Sequence, residues 1–209
     1  MKDLPALILP ERQRIIKEWS DLRCYGGFSF IMADPPWKRA AWSDKGLRKS
    51  PDAHYQTQTF DWIKALPIDI LCGPDVILWL WATNNMLPQQ LDVMAAWGFE
   101  FLTSGHWSKR NAKTHKQHFG LGYVLRSAGE PFLIGRRGNR GNLKMSRSVR
   151  SVIEAKAMAH SQKPTEAFAA AEKMLPNARR VEMFSRTNRK GWSSWGDQIG
   201  TIPLAEVAT

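Results

Sequence analysis

Asp34-Pro35-Pro36-Trp37 follows the apolar run Phe28 to Ala33, so a carboxylate, two prolines and an indole stand where a buried strand gives way to a loop. In open α/β sheets, ligands bind in the crevice outside such strand ends. These residue types suit the holding of a flat heterocycle by its exocyclic amino group. Such an amine is a poor nucleophile, because its lone pair is delocalised into the ring. An acceptor for each of its hydrogens favours the pyramidal geometry in which it can attack. The Asp34 carboxylate offers one acceptor and the Pro35 carbonyl offers another, while prolines at 35 and 36 remove backbone donors and stiffen the turn. Trp37 offers a ring on which a base can stack, a contact worth about 1–3 kcal/mol. Methylation of adenine N6 is a reaction that uses all four residues. Asp34 need not be a strong base there, since positioning and electrostatics carry most of the acceleration. Because N6 is paired inside a duplex, the base must be flipped out or already single-stranded.

The elements that must position this motif follow from apolar periodicity. Strands are expected at Phe28 to Ala33, Asp75 to Thr83, Phe99 to Trp107, Pro131 to Arg136, Ser151 to Ala155 and Arg180 to Phe184. Helices are expected at Pro10 to Asp21 (a lead-in), Phe60 to Leu66, Pro88 to Trp97 ended by Gly98, and Pro164 to Leu175, with a short helix at Leu121 to Ser127. Asp75 to Thr83 is apolar on both faces, as in a parallel strand covered by helices. Alternating strands and helices predict a Rossmann-like, doubly wound α/β sheet, mostly parallel. No repeat or linker interrupts the 209 residues, so residues 1–209 read as a single domain, with 1–25 as the lead-in and 203–209 as a mobile tail. Three polar, basic loops interrupt it: Lys38 to Thr59, Lys109 to His118, and Arg136 to Arg150, which holds six cations.

The charge balance, 30 basic against 19 acidic residues for a net +11, favours a polyanionic partner, nucleic acid first. Lys109, Arg110 and Arg147 are candidate contacts to it. No apolar run approaches the length of a membrane span, and Met1 to Arg14 carries no secretory signal. Cys24 and Cys72 read as free thiols, one disulfide being the alternative, and the protein as cytoplasmic. His106, His115 and His118 lack further ligands at supporting spacing, so no metal site is expected. Trp79, Trp81 and Trp97 read as core. Lys163 beside a helix N-terminus and Glu182 within an apolar strand are both unfavourable unless each meets an opposite charge or a ligand.

The motifs together resemble the MT-A70-like adenine-N6 methyltransferases, over about Phe28 to Gln198. Beyond the Asp-Pro-Pro-Trp motif, the resemblance rests on His54-Tyr55-Gln56-Thr57, Leu78 to Asn84, Gly129 to Gly135, His160-Ser161-Gln162-Lys163-Pro164, Glu182 to Arg186 and Gly191 to Gly196. The catalytic strand comes first and the cofactor strand last, the permuted order of this group. The resemblance implies S-adenosylmethionine as cofactor. Lys163 would meet its methionine carboxylate and Glu182 its ribose hydroxyls. Arg186, Asn188, Asp197 and Gln198 would surround the ribose and adenine, with Asp34 and Phe184 beside them. Tyr55 would belong to a loop closing over the reacting groups. Ser185 stands where many relatives have glycine. The expected activity is methyl transfer to adenine N6 in DNA, from a protein of bacterial or phage origin, with a homodimer as one assembly. An RNA adenine methyltransferase, or a catalytically silent nucleic-acid-binding relative, are the alternatives.

Overall fold

The computed structural model describes residues 9–38, 57–120, 122, 124–158 and 162–200. Helix α1 (Leu9–Leu22) buries Ile15 and Trp19, four residues apart and so on one face. Strand β1 (Phe28–Ala33) leads to the Asp-Pro-Pro-Trp motif. Helix α2 (Phe60–Lys64) is capped by Thr59, whose hydroxyl accepts from Trp62 N at 3.2 Å. Strand β2 (Cys72–Trp81) and helix α3 (Leu87–Ala96) follow, the helix ending before Gly98 at φ 78°. Strands β3 (Glu100–Arg110), β4 (Gly129–Arg137) and β5 (Val152–Lys156) come next. Helix α4 (Thr165–Met174), β6 (Arg180–Met183) and β7 (Trp192–Trp195) complete the order.

The seven strands form one sheet in the order β5-β3-β4-β2-β1-β6-β7. β4 runs antiparallel to both its neighbours, β2 and β3. The pairs β1–β2, β1–β6, β3–β5 and β6–β7 are parallel. Six strands therefore end at one edge of the sheet, and β4 alone begins there. Alternate residues of β1 divide between two cores, as pleating requires. Ile31 and Ala33 face the side covered by α1, α2 and α3, with Trp19, Ile63 and Val93. Phe30 and Met32 face the side covered by α4, with Ala167 and Phe168. The expected doubly wound, mostly parallel sheet is found, and Trp79, Trp81 and Trp97 are core, each 3% exposed or less.

The structure departs from expectation in four places. The described residues of the stretch 121–127 are not helical; Gly120 N donates to the Ser127 carbonyl, which closes the stretch as a loop. β3 extends to Arg110, so Lys109 and Arg110 lie on a strand rather than in a loop. Trp192–Trp195 is a strand that its serine-rich sequence did not announce; it is held by β6. The basic segment after β4 emerges at the edge opposite Asp34, because β4 is reversed. Both thiols are free. Among the described residues no helix is long and apolar enough to cross a membrane.

Candidate active site

The edge where six strands end collects most of the chemically unusual side chains. Asp34 follows β1 and is half-buried, with its N–H directed to the Met183 carbonyl of β6 at 3.4 Å. Lys163, just before α4, places its ammonium 2.8 Å from Asp34 Oδ2 and 3.1 Å from Glu130 Oε2. Glu130, at the start of β4, takes Lys109 Nζ on its other oxygen at 2.6 Å. Lys109, Glu130, Lys163 and Asp34 thus form one continuous chain of alternating charge. Burial pushes the Glu130 carboxyl up, but the Lys163 and Lys109 ammonium groups outweigh it and hold the group down to about 2. Burial lowers the Lys163 ammonium, and Asp34 and Glu130 more than reverse that, so its proton is held tightly. Lys163 also lies 5.2 Å from the centre of the Trp81 ring.

Glu182, on β6 beside Met32 of β1, has the opposite character. Burial raises its carboxyl to about 7, against the lowering effect of the Ser185 hydroxyl and Arg189. Ser185 Oγ lies 2.9 Å from Glu182 Oε2 and 2.7 Å from the Thr187 carbonyl, with one hydrogen to give to either. The chain turns sharply after β6: Phe184 has φ 63°, a left-handed conformation costly for a residue with a side chain. This turn brings Ser185 N to the Trp195 carbonyl at 2.9 Å. Gly196 follows, where a Cβ would collide with the Ser185 backbone.

Two cavities meet at Asp34. The larger, about 500 Å³, is bordered by Asp34, Phe184, Arg186, Asp197 and Gln198, within the usual size of a small-molecule site. The smaller contains Lys163, Glu182, Trp81 and Arg189, and Asp34, Phe184 and Arg186 border it as well. A family model described as MT-A70 matches residues 28–198. The chain belongs to the MT-A70 family. It is 30% identical over 193 residues to the N(6)-adenosine-methyltransferase MT-A70-like protein of Drosophila melanogaster, covering 89% of this chain and 29% of that protein. It is 28% identical over 193 residues to the human N(6)-adenosine-methyltransferase catalytic subunit METTL3, covering 89% and 30%. It is 27% identical over 188 residues to the Type II methyltransferase M.MunI of Mycoplasma sp, covering 82% and 78%. The chain therefore spans less than a third of the length of the fly and human relatives.

Of the MT-A70 residues expected at the site, the fold brings Asp34, Lys163, Glu182, Phe184, Arg186, Asp197 and Gln198 to the two cavities. Pro35 is buried and its carbonyl accepts from Trp37 N at 2.8 Å; that of Pro36, which borders the larger cavity, accepts from Gln58 N at 2.8 Å. Each carbonyl keeps a second lone pair. Asn188 is exposed and borders neither cavity. Tyr55 lies outside the described residues.

Three expectations are corrected. Trp37 does not present a ring to a base: it is 5% exposed, lies against Phe60 at 5.5 Å between centroids, and donates to the Trp81 carbonyl at 3.3 Å. It anchors the turn instead. Lys109 and Arg110 stand at the correct edge but are paired with Glu130 and Glu154. Arg147 is exposed at the far edge, where Ser146 N donates to the Met174 carbonyl at the end of α4. Sequence reasoning missed Glu130 and Arg189. Arg189 lies 3.8 Å from the centre of the Phe168 ring and borders the Glu182 cavity. Glu130 carried the same signal that marked Glu182: a carboxylate adjoining an apolar strand, costly unless paired. Among the described residues no three His, Cys, Asp or Glu side chains gather as a metal site.

Proposed function

We propose that this chain transfers a methyl group from S-adenosylmethionine to the N6 amino group of adenine in DNA. The observation that carries this is the Asp34 carboxylate, fixed at the end of β1 by Lys163 and shared by both cavities. The residues fit the cofactor chemically. A buried ammonium, Lys163, suits a carboxylate, and Asp34 suits an ammonium. Glu182 suits paired hydroxyls, and the larger cavity has room for an adenosyl group. When bound, the cofactor supplies a methyl activated by a sulfonium. Everything else falls to the protein.

Among the described residues the ion pair engages Oδ2 of Asp34, which leaves Oδ1 to accept one N6 hydrogen. The second lone pair of the Pro35 carbonyl accepts the other. Trp37 holds both acceptors in place through its buried indole. In the transfer N6 would bond the methyl carbon as the carbon–sulfur bond breaks with its electron pair left on sulfur, and the hydrogen facing Asp34 would leave as a proton by way of Oδ1. Exposed Lys113, Lys116 and Arg126, between β3 and β4 at the same edge, provide phosphate contacts. The DNA reading follows the likeness to the Type II methyltransferase, 27% identical over 188 residues, and RNA is the alternative that the test below separates.

The test is transfer of labelled methyl to unmethylated DNA and RNA, with the modified base mapped. Asp34→Asn is expected to lower turnover by roughly 10²–10³-fold, the usual loss when a positioned transition-state group is removed. Absence of transfer by the wild type to any adenine-containing polymer would sink the proposal, and transfer to RNA alone would move the substrate.

A further inference from the structure

Helix α1 lies upstream of the residues matched by the family model, which begin at 28. It is nevertheless built into the site. Ile15 and Trp19 are fully buried, and Arg12 Nη1 donates to the Ala65 carbonyl after α2 at 2.9 Å. Trp19 meets Trp195 edge to face, with 5.1 Å between centroids, and Trp195 packs in turn on Phe184. Glu18 ties the helix to the same wall with both oxygens: Oε1 accepts from Arg14 at 2.7 Å and Oε2 from the Trp195 indole at 3.0 Å. Positions 11, 14 and 18 share one helical stripe. Glu11 and Arg14 on that stripe border the larger cavity, as do Asp197 and Gln198.

We propose that α1 forms one wall of the methyl-donor site, with Glu11 and Arg14 contacting the adenosyl end of S-adenosylmethionine. This rests on the methyltransferase function proposed above and assigns it a recognition element outside the family's matched region. The orientation follows from the charges. The amino-acid end needs the Asp34–Lys163 pair, and the reacting methyl must lie near Asp34. The adenosyl group is what remains to occupy the outer cavity. Its base edge presents an amino donor and ring-nitrogen acceptors, and its ribose presents hydroxyls. A carboxylate and a guanidinium one helical turn apart supply the complementary acceptor and donors. Glu18 is a positioning residue that fixes Arg14 against Trp195.

The test is calorimetric titration of the full chain with S-adenosylhomocysteine and with 5′-methylthioadenosine, which keeps the adenosyl group and lacks the amino-acid end. The double variant Glu11→Ala, Arg14→Ala is expected to weaken both ligands by a similar factor, roughly tenfold. Its melting temperature should be unchanged, because neither side chain is core. Glu11→Gln and Arg14→Gln, which keep side-chain bulk, should each give part of the loss. Undiminished binding of both ligands by the double variant would overturn the inference while leaving the methyltransferase proposal standing. So would a loss confined to S-adenosylhomocysteine, which would place α1 at the amino-acid end. Failure of the wild type to bind either ligand would overturn both.

Discussion

Replacing Glu130 by glutamine keeps the shape of the side chain and removes its charge, leaving Lys109 and Lys163 with one carboxylate fewer between them. Glu130 is 19% exposed, so water screens the two contacts weakly. Its carboxyl titrates at about 2 in the fold against an ordinary 4.5, and that displacement corresponds to about 3 kcal/mol. Breaking a buried ion pair by removing one partner costs about 3–5 kcal/mol, in the same range. Because the folded group titrates below the unfolded one, the stabilisation is complete above 4.5 and is lost as the pH falls toward 2. Urea unfolding of wild type and Glu130→Gln in parallel should show a gap of about 3 kcal/mol at pH 7, closing progressively below pH 4.5. A gap under about 1 kcal/mol at pH 7, or one that does not change with pH, would refute the assignment of Glu130 as the centre of the ion chain.

Glu182 should show the reverse pH behaviour. Burial raises it to about 7, so its part in fold stability is complete below 4.5 and is lost as the pH rises through 7. On the proposed function Glu182 accepts from both ribose hydroxyls only when ionised, its neutral carboxyl keeping one acceptor oxygen fewer, so S-adenosylhomocysteine affinity should rise between pH 6 and 8, and Glu182→Gln should flatten that rise in a calorimetric series. Gly196→Ala places a methyl against the Ser185 backbone and should destabilise the chain by about 1–3 kcal/mol in thermal unfolding, with weakened ligand binding. Arg147→Ala, at the far edge, should leave methyl transfer to a short oligonucleotide unchanged in a steady-state assay, whereas Asp34→Asn should lower it by roughly 10²–10³-fold.

The site was legible where a residue violates the local pattern. Asp34 after an apolar strand, Lys163 at a helix start and Glu182 inside a strand each demand a partner, and the fold supplies one or a cavity. Glu130 makes the same demand, but a strand drawn from Pro131 left it outside the apolar segment. β4 begins two residues earlier, at Gly129, because it pairs with β3. What sequence could not supply were facts set by pairing partners far along the chain. Trp37 is hidden by Phe60 and Trp81. Trp192–Trp195 is a strand only because β6 offers an edge. The cations of Arg136 to Arg150 were read correctly as a basic segment, but which end of the molecule they occupy depends on the direction of β4, which periodicity does not encode.

The chain from Lys109 to Asp34 contains two cations and two anions, and so is electrically neutral as it stands. On the proposed function, Asp34 and Lys163 hold each other where the ammonium and the carboxylate of the methyl donor would pair with them. Their bond works as a placeholder. Admitting a zwitterion exchanges one internal ion pair for two external ones, and the total charge under Trp81 does not change. Donor and spent product carry the same amino-acid end and differ there by a sulfonium. The pocket can therefore swap one for the other without ever exposing an uncompensated buried charge, with Glu130 keeping Lys163 in place while its other partner is replaced.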